Sequence, residues 1–192
     1  MGSYSDMVND DIKKLAYEVL GKEEIDNIHH IIHELTGGNR EKVINELIDF
    51  VGVKPKRPLY YVAMHIKYLP EHGTRDVIRD LGDYIDQFVK FTLEDKKFLA
   101  RWYRKPLGPN LEKLKKYIDI DFYQQLKLFN IIYTQAKHDY NHYEDKSWFN
   151  YQDVVYMVFI TKKLAPKLLA ISERARDYNN EGKTFYRYQQ ID

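Results

Sequence analysis

The sequence predicts an all-α protein, an up-down helical bundle decorated with additional short helices. Apolar residues recur at three- and four-residue steps along nearly the whole chain. The breaks between these periodic stretches fall on glycine, proline and residues that cap helices. At 192 residues, the chain is long enough for one sizeable core and does not call for a second.

The elements follow in order. Asn9 or Asp10 opens a helix through "IKKLAYEVL", closed by Gly21 as a left-handed C-terminal residue. The segment "EEIDNIHHIIHEL" carries Ile25, Ile28, Ile31, Ile32 and Leu35 on one stripe and stops at Gly37 and Gly38. Asn39 caps "REKVINELIDFV", which ends at Gly52. The connector "GVKPKRP" follows, then "LYYVAMHIKYL", a nearly all-round apolar segment that reads as a central helix, with a strand as the alternative. Thr74 caps a long helix with Val77, Ile78, Leu81, Ile85, Phe88 and Val89 facing inwards. Thr92 begins "LEDKKFLARWYR", with Asp95 completing a weakened capping box. A short helix starts at Asn110, and Asp121 caps a helix through Phe122, Leu126, Phe129, Ile132 and Tyr133. Asn150 caps the last long helix, with Asp153 near its positive end and Pro166 bending it or removing one hydrogen bond within it. The whole reads as one domain over 1–192: an N-terminal helical lobe at 1–53, a bundle over about 59–176 and a polar tail at 177–192.

Composition narrows the chemistry. With no cysteine, disulfides, thiolate metal sites and cysteine nucleophiles are excluded together. The net charge of +1 gives no overall attraction to a polyanion. No apolar run approaches the roughly 18 residues of a membrane span, and the first residues lack the apolar core of a signal peptide. The expectation is therefore a cytoplasmic protein without a membrane partner.

The total charge conceals an asymmetry. From Lys96 to Lys116 eight cations stand against Glu112 alone, a local balance of +7. Trp102 and Tyr103 sit among them, where rings can stack on unpaired bases while cations meet phosphates. The expected nucleic-acid contacts are Arg101, Trp102, Tyr103, Arg104, Lys105, Lys113 and Lys116. A solvated helical face with Trp102 as a core anchor is the other reading. A second cluster, His29, His30 and His33, places His29 and His33 on one helix face at metal-ligand spacing, yet no carboxylate completes a triad there.

The most crowded stretch is "KHDYNH", Lys137 to His142. Were the helix continuous, His138 and His142 would share a face and "HDYNH" would imitate the HExxH zinc helix, with Asp139 replacing the glutamate. Were the helix to end there, Lys137 and His142 could converge. A purely structural reading also stands, in which Lys137, His138 and His142 favour the negative end of the helix dipole.

The spacing of Lys137 and His142, with His138 directly after the cation, resembles the R-x(4–6)-H motif of the HEPN superfamily. The context is similar over roughly residues 121–172: a bundle helix, a short loop "YEDKSWFN" and a final amphipathic helix. Lys137 stands where the family has arginine, so it brings a point charge rather than a planar two-pronged grip. The resemblance implies a helical bundle, often a homodimer whose motifs face one another, with a cognate regulatory protein as a further partner. It also implies metal-independent RNA cleavage without a cofactor, or an RNA-binding module where activity has been lost. In this scheme His142 is the general acid or base, Lys137 offsets charge on the phosphate, His138 and Asn141 orient the backbone and Asp139 holds a histidine tautomer. Two other classes stay open. One is a metal-dependent hydrolase built on His138 and His142, the other a non-catalytic module that binds protein through its tyrosine-rich surface.

Overall fold

The computed structural model describes residues 4–36, 74–97, 105–138 and 149–180. Among these the protein is all α, with no strand: α1 (Tyr4–Val19), α2 (Lys22–Thr36), α3 (Thr74–Asp95), α4 (Leu107–Leu114), α5 (Ile120–His138), α6 (Tyr151–Ile171) and α7 (Glu173–Asn180). Helix α3 packs on α6, α6 on α1, α1 on α5 and α5 on α3, which closes a four-helix ring. Helix α2 lies on α6, α4 touches α3 and α5, and α7 touches α3 and α6.

Directions follow from the cross-contacts. Tyr133, late in α5, meets Asp83, in the first half of α3, whereas Gln125, early in α5, donates to Glu18 O, late in α1, at 3.4 Å. Helix α5 therefore runs against both neighbours, in the up-down sense. Phe88, Phe129 and Tyr133 are among the largest fully buried side chains, joined by Ile12, Leu15, Ile28, Ile78, Leu81 and Ile85 from the surrounding helices. Burying each such side chain contributes about 1.5–3 kcal/mol. None of the described helices is long and apolar enough to cross a membrane.

The start of α6 forms as its sequence requires. The Asn150 side chain accepts hydrogen bonds from Gln152 N–H and Asp153 N–H, and Asp153 accepts from Asn150 N–H at 2.9 Å. Pro166 lies inside α6 on its exposed side.

Other starts differ from expectation. Helix α1 begins at Tyr4, so Asn9 and Asp10 are interior; no proline or glycine between 4 and 9 stops the helix from extending. Gly21 lacks a left-handed φ, and its carbonyl accepts from Ile25 N–H at 3.1 Å, so it opens α2 rather than closing α1. Thr92 does not begin a helix: fully buried within α3, it donates its hydroxyl to Phe88 O at 2.8 Å. The chain breaks instead at Lys97, in the left-handed region at φ 63°. Asp95 turns to α7, accepting from Ser172 Oγ at 2.6 Å and Arg174 N–H at 3.2 Å.

Helix α4 starts three residues before Asn110, after Pro106. Pro109 fits its first turn because that N–H would have no intrahelical acceptor. Asn110 is buried and donates from Nδ2 to Lys105 O at 3.2 Å. The cap of α5 is Asp119, which accepts from Phe122 N–H at 2.7 Å, and not Asp121. The helices expected at Asn39–Val51 and Leu59–Leu69 lie outside the described residues, as do the "GVKPKRP" connector and the tail beyond 180.

Candidate functional site

The first half of the site grows from a glycine. A Cβ on Gly82 would sit 1.9 Å from Tyr133 Cδ2, so only glycine lets the Tyr133 ring lie against the α3 backbone. From there the buried Tyr133 donates its hydroxyl to Asp83 Oδ1 in a short hydrogen bond. Lys137, one turn further along α5, reaches the same carboxylate at 3.6 Å and lies 4.2 Å from the Tyr133 ring centroid. Ring and carboxylate together aim the ammonium group. Burial first, then the hydrogen bond to Asp83, pushes the Tyr133 hydroxyl far above its ordinary value of 10.0, so it stays a donor.

Asp86 continues the acidic face of α3. It is buried and pairs with Lys90 at 2.6 Å, while its Oδ1 has no hydrogen-bond partner. Burial pushes its carboxyl above the ordinary 3.8, against the pull of Lys90 and Lys137. Arg79 sits nearby at 2.8 Å from Asp76 and 3.3 Å from Asp80. The acids of this face thus lie close to cations.

The second half of the site is an open groove of about 610 Å³ between α4 and α5. Lys105, Lys113 and Lys127 line it together with Gly108, Pro109, Leu111, Glu112, Asn130 and Ile131. The Glu112 carboxylate accepts the Tyr123 hydroxyl. Lys115 and Lys127 stand 5.0 and 5.7 Å from the centroid of the Tyr123 ring. Among the described residues neither Lys105 nor Lys127 forms an ion pair with a carboxylate. The two halves are joined by the exposed face of α5, where Lys127, Ile131, Thr134 and His138 follow one another at helical spacing.

The structure brings Lys105 and Lys113 of the expected contact set to one groove, while Lys116 is exposed in the turn after α4 and does not line it. Lys137 and His138 lie exposed in the last turn of α5. His142, Asp139, Asn141, Arg101, Trp102, Tyr103 and Arg104 lie outside the described residues. His29 places Nε2 2.9 Å from the Tyr156 hydroxyl, a tie between α2 and α6. Among the described residues no three histidine, aspartate or glutamate side chains gather as metal ligands.

Sequence reasoning missed Gly82, Asp83, Lys127 and Asn130, and it read Tyr133 only as core. A glycine isolated inside a strongly periodic helix was the one available signal, because it marks close approach of a neighbour. No protein-family model, curated protein or solved structure matches the chain.

Proposed function

We propose that this chain is an RNA-binding helical protein of the HEPN-like kind that cleaves single-stranded RNA without a metal. The observation that carries this reading is the exposed strip of α5. It runs from the lysine groove at Lys127 to His138, eleven residues or roughly 16 Å of helix. A strand held by the lysines at one end is thereby led to Lys137 and His138, the first residues of the motif. In the dimer that the resemblance implies, two such ends face one another.

His142 takes the proton of a ribose 2′-hydroxyl, and the 2′-oxygen attacks the adjacent phosphorus. A 2′,3′-cyclic phosphate forms, and the departing 5′-oxygen receives a proton from water, while His138 orients the backbone. Lys137 offsets the charge that gathers on the phosphate oxygens. Its pairing with Asp83 is no obstacle, because both side chains are about two-fifths exposed and such pairs contribute only about 0–1 kcal/mol. An incoming phosphate can therefore compete for the ammonium group.

The test is cleavage of a single-stranded oligoribonucleotide in the presence of EDTA. The wild type should cut it and His142→Ala should not; equal rates would remove the catalytic claim. Activity lost in EDTA and restored by a divalent ion would transfer the site to the metal-dependent class. Light scattering on the eluting protein reads the dimer directly.

A further inference from the structure

We infer that the α4–α5 groove seats one unstacked nucleotide of single-stranded RNA, its base on the apolar floor and its flanking phosphates at Lys105, Lys113 and Lys127. This rests on the RNA reading above and adds where the strand is gripped, away from the cutting end.

Size is the first argument. About 610 Å³ lies within the range of small-molecule sites and holds a nucleotide with room for the next phosphate. The floor is the second. Leu111 is buried, and Ile131, 45% exposed, offers apolar side-chain surface on the wall of the groove. The flat face of an unpaired base covers such a wall, whereas the faces of duplex bases are already stacked.

Charge is the third argument. The three lysines come from both walls, Lys105 and Lys113 from the α4 side and Lys127 from α5, so they flank the apolar floor. The one carboxylate in the groove, Glu112, accepts a hydrogen bond from Tyr123, which tempers its repulsion of phosphate. Finally, Asn130 lines the groove beside Gly108, where an added Cβ would lie 3.3 Å from Asn130 Nδ2. The wall is kept low at the one side chain that offers both a donor and an acceptor to a base edge.

The experiment uses the full-length protein carrying His142→Ala, so that binding is read without cleavage. Fluorescein-labelled hexamers of oligo(U), oligo(A) and oligo(C) are titrated at about 50 and about 200 mM salt. Adding Lys113→Glu and Lys127→Glu together should weaken binding by about tenfold or more and lower the salt slope by about two. Ile131→Ala should weaken all three hexamers by about fivefold through lost stacking. Asn130→Ala should change the ratio between hexamers while leaving the salt slope in place. Circular dichroism confirms that each variant is folded.

If the lysine variant weakens binding but Ile131→Ala and Asn130→Ala change nothing, the groove is a charged patch and the nucleotide seat is overturned. Poly-glutamate competing as well as RNA of equal charge would also overturn it, in favour of an acidic peptide. Hexamers that bind with no response to any groove variant sink this inference alone. A parent protein that binds no hexamer sinks the RNA reading with it.

Discussion

Two turns of this bundle each hold an aspartate, and they hold it by different means. At the start of α6, Asp153 is buried and accepts a hydrogen bond from Asn150, three residues away, as half of a reciprocal pair. At the α3–α5 crossing, Asp83 is half-exposed and its partners are Tyr133 and Lys137, from a helix about fifty residues along the chain. The first arrangement is complete within one helical turn and serves to start a helix. The second exists only because two helices cross at a glycine, and it sets the position of the Lys137 ammonium group. In this protein the local device stabilises and the long-range device orients.

The sharpest way to break that contrast is Gly82→Ala. Its methyl group would overlap the Tyr133 ring, so α3 and α5 must part even though alanine favours helix. We expect a loss of about 3 kcal/mol in chemical unfolding, at the upper end of overpacking costs. A loss under about 0.5 kcal/mol would mean the crossing is loose.

A smaller effect is expected from Asp83→Ala. It leaves the buried Tyr133 hydroxyl without its acceptor, at a cost of about 1–2 kcal/mol. Adding Tyr133→Phe should recover much of that loss, since the stranded donor is then gone. A double variant that is simply additive would show that the two groups do not act as a pair.

The smallest effect belongs to Asp153 and shows in how stability depends on pH. Burial pushes its carboxyl up from the ordinary 3.8 to about 6, outweighing the Asn150 N–H and the Lys13 charge. The fold therefore favours the protonated acid, and stability should fall as pH rises from about 4 to about 6. In Asp153→Asn that fall should be shallower, with Asp86, also pushed up by burial, supplying what is left. Parallel curves for variant and wild type would refute the assignment.

Much of the architecture was legible. The isoleucine stripe of α2, the start of α3 at Thr74 and the full Asn150–Asp153 cap all follow from residues within a turn of each other. Where two caps lay close together, local reading chose badly. Asp119 and Asp121 are equally good acceptors in isolation, and the packing of Phe122 and Tyr123 into the core selects the first. Thr92 reads as a cap, yet at 0% exposure it meets its need inside the helix. The site was legible only in part. The charge excess around Lys105 and Lys113 is visible along the chain, but Lys127 and Asn130 join them from another helix and leave no mark there.

By itself the sequence determined the helical class, the exclusion of thiol chemistry and the residues that start α6, because each depends on composition or on neighbours within a few positions. Only the tertiary structure decided that three lysines share a groove, and that Lys137 is aimed by Tyr133 and Asp83. The physical reason is one of range. Capping and periodicity act over a single turn, whereas a groove or a paired ammonium group exists only after distant helices have packed.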